Sequence, residues 1–191
     1  RLFAESQLPH LQLATDFKGS ILDFGCGAGD AFPVYHATWP NAKLMGADFS
    51  ADAVQLCRTR FGHLAEFRCG GPESLPPVDI IICSNVLEHV DDDVTVVAQL
   101  LKRCGRLFVI VPYDEHPLSA EHVRRYGSDA FSEFDVARRQ VFPSRGWTES
   151  GIRSIARIFI GNLWRRIKGH PMRKRRLQIL FEIANNSKRL Q

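Results

Sequence analysis

Several things are missing from this 191-residue chain, and each absence removes a class of protein. It has no apolar run of about 18 residues, the length a helix needs to cross a bilayer. Its first residues, RLFAESQLPH, lack the apolar centre of a secretory signal, so a cytoplasmic location is expected. Its five cysteines (Cys26, Cys57, Cys69, Cys83 and Cys104) include no Cys-x-x-Cys pair, which argues against a zinc ribbon. Several lie in apolar runs, as reduced and partly buried thiols do. There is no internal repeat and no low-complexity tract. Acids are almost absent from the end of the chain: residues 151–191 hold 11 Lys/Arg and one acid, Glu182. The first 150 residues hold 14 Lys/Arg and 20 acids, so a mildly acidic body carries a strongly basic end.

What is present fits one globular domain with a substantial core, since 45% of residues are hydrophobic and 24% charged. The stretch Ile21 to Asp30, ILDFGCGAGD, organises it. Ile21, Leu22 and Phe24 read as a strand, and Gly25, Gly27 and Gly29 as a tight turn that lets a ligand approach the backbone. Cys26 lies between two of these glycines and is expected to be exposed there, without an activating partner.

Strand and helix patterns alternate from there. Helices are expected over residues 1–18, over Asp30–Trp39 with Asp30 as cap, over Ala51–Arg60 capped by Ser50, and after Asp91–Asp93. Strands are expected at Lys43–Ala47, Ala65–Cys69, Val78–Cys83 and Arg106–Val111. Beyond them, Ser128–Phe134 reads as a short helix and Val136–Phe142 as a sixth strand. Thr148–Ile167 reads as an amphipathic helix and Met172–Ala184 as a final helix. The alternation predicts an α/β fold: a Rossmann-like open, mostly parallel sheet with helices on both faces, plus a helical basic C-terminal segment.

Ligands of such sheets bind at the carboxyl ends of the strands. Asp48 follows the second strand, 19 residues after Gly29, where an acid can accept hydrogen bonds from a ribose. A dinucleotide fingerprint needs a small residue where Asp30 stands, and no phosphate-binding Lys follows, so neither a dinucleotide site nor a P-loop is expected. An adenosine-like ligand and a purely structural glycine turn both remain open on these residues.

ILDFGCGAGD resembles the first motif of the class I S-adenosylmethionine-dependent methyltransferases. The resemblance continues through LMGADFS (44–50), ESLPPVDIIICSNVLEHV (73–90) and GRLFVIVP (105–112), and LEHV is most like the small-molecule branch. It implies S-adenosylmethionine as cofactor and S-adenosylhomocysteine as product. Residues 1–145 would form the cofactor-binding domain, and 146–191 a basic helical extension on or beside it. By the same resemblance, Asp23, Gly25, Cys26, Gly27 and Gly29 face the methionine part, Asp48 holds the ribose, and Phe49 packs on the adenine. Ser84 and Asn85 border the methionine and the acceptor. Many relatives carry an Asp for the adenine amino group where Gly71 stands, so that contact is left to backbone groups or Glu73.

Methyl transfer from a sulfonium needs mainly alignment, with a base only for a weakly acidic acceptor such as a sugar hydroxyl. Residues 113–126, YDEHPLSAEHVRRY, should cover the acceptor side. His116 is the first candidate base, then His122; His89 is a base, a metal ligand, or a ring that pins its turn. Some relatives bind a divalent metal through Glu-x-x-Glu-His and a later His. Here Asn85 stands at the first Glu, His116 or His122 would be the later ligand, and so carboxylate-poor a set suits Mg²⁺ badly; no metal is expected. The expected reaction is O-methylation of a small or carrier-linked acceptor such as a sugar. RNA methylation and a non-catalytic cofactor- or partner-binding module are the alternatives. The basic tail reads as solvated surface, as a grip for an anionic acceptor or for peripheral contact with an anionic membrane, or as an RNA surface.

Overall fold

The computed structural model describes residues 1–143, 166 and 176–185. Seven strands form one sheet in the order β3-β2-β1-β4-β5-β7-β6. They are β1 (Ser20–Phe24), β2 (Lys43–Asp48), β3 (Glu66–Cys69), β4 (Val78–Ser84), β5 (Cys104–Tyr113), β6 (Val136–Pro143) and β7 (Leu177–Ala184). The first five are parallel; β7 runs antiparallel between β5 and β6. The order reverses between β1 and β4, which pair directly, so the glycine turn after β1 opens at the switch point.

Alternation along the central strands splits the core into two layers. Leu22, Phe24, Ile81, Cys83, Leu107 and Val109 face one side. They meet Val97 and Leu100 of α4 (Asp93–Leu101) and Tyr126 and Phe131 of the loop after β5. Ile21, Ile80, Ile82, Phe108 and Ile110 face the other. They pack on α1 (Leu2–Leu11), α2 (Phe32–Thr38) and α3 (Ala51–Phe61) through Leu11, Phe32, Trp39 and Val54.

The expected Ser50 cap holds, and Asp92, one of the three acids expected to open the next helix, caps it. Ser50 accepts from the Ala53 N–H at 3.2 Å and Asp92 from that of Thr95 at 3.0 Å. Asp30 does not cap α2: Ala31 occupies the cap position, and Asp30 pairs instead with Arg60 at 2.9 Å. Ser128–Phe134 forms turns rather than a helix, with Phe131 at positive φ. The sixth strand stands where it was expected.

The expected final helix over Met172–Ala184 is replaced, over Leu177–Ala184, by strand β7. Leu180, Phe181 and Ile183 are fully buried and Ile179 lies beside them, a continuous apolar run suited to a strand covered on both faces. Its partners, β5 and β6, lie far away in sequence, and they override the helical spacing. The amphipathic stretch Thr148–Ile167 lies outside the described residues, Arg166 apart.

Candidate active site

The turn after β1 is pinned from below. The N–H groups of Gly25 and Cys26 both donate to the Ala47 carbonyl, at 2.8 and 3.1 Å. Gly25 has φ 76°, and a Cβ there would stand 2.2 Å from Val86 Cγ2, so no other residue fits. Gly27 has φ 51° but nothing within 4 Å of its Cβ direction. The first glycine is required by packing, and the second leaves open space where a ligand can lie against the backbone. Asp48 at the end of β2 holds this geometry: its Oδ2 accepts from the Gly27 N–H at 2.8 Å and its Oδ1 from that of Ser50 at 2.9 Å. The two features singled out in the sequence, glycines and acid, are thus one unit.

Asp23 lies in β1 beneath the turn and is 6% exposed. Burial first, and the neighbouring Asp48 charge second, push its carboxyl up to about 7. Cys26, expected to be exposed, is buried. Burial and the charge of Asp23 push its thiol far above the ordinary range, so it is a packing residue and not a nucleophile. Phe49 is 58% exposed, with its edge toward Phe24 at 5.6 Å between centroids. At Gly71 a Cβ would stand 2.6 Å from Glu73 Oε2, so the Glu73 carboxylate lies directly over the glycine.

Ser84 and Asn85 close the other side, at the end of β4. Gln7 Nε2 donates to Ser84 Oγ at 2.9 Å and to Gln178 Oε1 at 3.2 Å. Asn85 Nδ2 donates to Ser84 Oγ at 3.0 Å, and Gln178 Nε2 to Asn85 Oδ1 at 2.7 Å. The four side chains form a closed ring of hydrogen bonds that holds Asn85 at φ 55°. The sequence reading had assigned no chemistry to residues 1–18 and a helix to Gln178. Gln178, a polar residue inside the apolar run LQILF, was an available signal; Gln7, which follows Glu5 and Ser6 in α1, carried none.

The candidate histidines separate into two places. Residues 87–89 form a single 3-10 turn after β4. His89 and His122 come together with ring centroids 4.9 Å apart. His89 Nδ1 bonds the Glu121 carbonyl oxygen at 2.9 Å, and His122 Nδ1 bonds Glu115 Oε2 at 2.5 Å. Glu88 is buried beside them, and burial raises its pKa. His116 is not in this group: its Nδ1 accepts from Arg125 at 2.9 Å, and its Nε2 faces Asp114 at 3.9 Å. The loop 113–126 is anchored at its far end, where Asp93 takes the Arg124 guanidinium and, at 2.9 Å, the Tyr126 hydroxyl. Val123 N–H donates to the Glu88 carbonyl at 2.8 Å.

Residues 21–107, which contain the glycine turn, Asp48 and β4, match the family model of a methyltransferase domain. By this match residues 21–107, a little under half of the chain, are a methyltransferase domain. The chain is similar to a trans-aconitate 2-methyltransferase of Azoarcus sp. strain BH72, at 29% identity over 109 residues. That match covers 52% of this chain and 42% of the relative, so the chain spans less than half of that protein's length. Solved structures of the same fold reach further. The methyltransferase in a complex with the Haloferax volcanii Trm112 activator superposes with TM-score 0.68 at 16% identity, covering 97% of this chain and 90% of its own. The plantazolicin methyltransferase, solved with a desmethyl substrate analogue and S-adenosylhomocysteine, gives TM-score 0.62 at 20% identity, covering 96% and 84%. No helix among the described residues is long and apolar enough to cross a membrane.

Proposed function

We propose that the chain is an S-adenosylmethionine-dependent methyltransferase that methylates oxygen on a small or carrier-linked acceptor. The observation that carries this reading is the Gly27–Asp48 pair. It leaves open space against the backbone at Gly27 and an acid fixed by two N–H groups beside it. Gly25, Gly27 and Gly29 would hold the methionine part from below, with Cys26 as buried support and Asp23 facing the ammonium. Asp48 would take the ribose and Phe49 the adenine. Glu73, over Gly71, would take the place of the acid that relatives use for the adenine amino group.

The cofactor brings an electrophilic methyl group on a sulfonium. The protein's task is to align an acceptor oxygen and keep water away. Ser84 and Asn85, fixed by Gln7 and Gln178, form the floor between donor and acceptor. A hydroxyl acceptor would call on a base from 113–126, and exposed His116 would have to give up the Arg125 bond at its Nδ1 to serve. A carboxylate acceptor needs none, because it is already a nucleophile. Similarity to enzymes named for trans-aconitate, a small carboxylic acid, supports the second of these acceptor classes.

Calorimetry with S-adenosylhomocysteine tests the donor half: saturable binding lost in Asp48→Ala is expected, and equal binding by the variant would refute it. Labelled donor added to fractionated cell extract tests the acceptor half. Label released as methanol by mild alkali marks an ester, alkali-stable label marks an ether, and label retained on RNA or protein overturns the small-acceptor reading.

A further inference from the structure

Glu88, His89 and His122 are brought together from two segments, the turn after β4 and the loop after β5. One potential ligand atom from each lies within 4.8 Å of the others. Two independent observations point to a ligand there. First, Glu88 is 1% exposed and its Oε2 has no hydrogen-bond partner among the described residues. A buried polar atom left unpaired costs about 1–3 kcal/mol, more if charged, and is rare unless something else satisfies it. Second, both imidazoles are oriented from outside. His89 Nδ1 meets a carbonyl oxygen and His122 Nδ1 a carboxylate oxygen, both of which can only accept. In the neutral ring this places the proton on Nδ1 and leaves the Nε2 lone pair for a ligand. Oxygen acceptors fixing the far nitrogen of a ligating histidine are the usual outer shell of a metal site.

We propose that Glu88, His89 and His122 bind a divalent transition metal ion of the zinc class, with Glu115 and the Glu121 carbonyl as its outer shell. Two imidazoles and one carboxylate suit Zn²⁺, Fe²⁺ or Co²⁺, whereas Mg²⁺ and Ca²⁺ prefer oxygen-rich sets. The carboxylates of Glu88 and Glu115 balance the dipositive charge. Three protein ligands leave a position for water or an acceptor oxygen. The ion ties the turn after β4 to the loop 113–126, fixing one wall of the acceptor side. With Asn85 at the first Glu and His116 or His122 as the later ligand, the pattern had led to the expectation of no metal; the fold brings His122, not His116, beside Glu88 and His89.

The inference does not rest on the identity of the methyl acceptor or donor. Its test uses protein stripped with chelator and titrated separately with Zn²⁺, Co²⁺ and Mg²⁺. One equivalent of Co²⁺ should give the visible absorption of a four- or five-coordinate ion, displaced by Zn²⁺ and not by Mg²⁺. Zn²⁺ should raise the unfolding midpoint in proportion to the logarithm of its concentration. His122→Ala and the exposed-site variant His89→Ala should each abolish the cobalt spectrum, and Glu115→Gln should weaken binding about 10- to 100-fold. Absence of saturable binding, or a cobalt spectrum unchanged in folded His89→Ala, would overturn the proposal. So would uptake of Mg²⁺ in preference to Zn²⁺. S-adenosylhomocysteine calorimetry on the same stripped protein keeps failure of the metal site separate from failure of the donor site.

Discussion

Gln178 of β7 donates a 2.7 Å hydrogen bond to Asn85 Oδ1, although 93 residues separate them in the chain. The bond completes the ring through Ser84 and Gln7, and Gln178→Ala takes the donor from Asn85 Oδ1 and leaves Gln7 Nε2 with Ser84 Oγ alone. The variant should lose about 1–3 kcal/mol in urea unfolding. It should also raise KM for the acceptor more than for the donor, which steady-state kinetics with each substrate varied in turn will show.

Asp23 sets a pH dependence. Its native pKa of about 7 lies above its unfolded value of 3.8, so between these pH values the native state holds a proton that the unfolded state has lost. The stability it contributes is complete below 3.8, falls as pH rises toward 7, and levels off above. Asp23→Asn should flatten that slope, gaining on the parent protein as pH rises from 5 to 8. A cationic methionine ammonium beside Asp23 should also expel its proton. Binding heats at neutral pH should then vary with the ionisation enthalpy of the buffer, and lose that variation in Asp23→Asn.

Glu73 is expected to read the adenine. Glu73→Ala should weaken S-adenosylhomocysteine about 10- to 150-fold, the loss of one hydrogen bond to a charged group. It should also erase discrimination against an analogue whose adenine amino group is dimethylated. A variant that still discriminates would assign the contact to backbone groups.

Among the cysteines only Cys69 is exposed. Burial raises the pKa of Cys26, Cys57 and Cys83. Under native conditions a thiol reagent should therefore label Cys69 quickly and the others only at the rate of unfolding. Peptide mapping after timed quenching checks this.

Phe181→Ala should cost about 3–5 kcal/mol, because Phe181 is fully buried in β7 with its ring edge-on to Phe131 at 5.2 Å. Chemical denaturation measures it. A loss below 1 kcal/mol would place residue 181 on a surface element.

Much of this was legible in the chain. Glycine spacing, Asp48 and the apolar run of β4 pointed to the turn after β1 and the acid that pins it, because they depend on neighbours close in sequence or on turn geometry. The end of the chain was not legible. LQILFEIA satisfies helix and strand spacing alike, and only its pairing with β5 decides between them. Cys26 was misread because glycine neighbours suggest exposure, whereas the turn folds its side chain inward beside Asp23 and Cys57. The separation of His116 from His122 was equally hidden, since it depends on where Glu115 and Arg125 fall along an irregular loop.

The position of β7 also bears on the order of assembly. Strands β1 to β5 can pair as they leave the ribosome, each with a neighbour already made. β6 cannot: its partner is β7, which is synthesised after it. Until residues 177–184 emerge, β5 presents an open apolar edge and β6 waits unpaired. A nascent chain can therefore complete its glycine turn and still lack Gln178 beside Asn85. The glycine turn and the ring around Asn85 are completed at different times, and in the interval the unpaired strand edges favour aggregation.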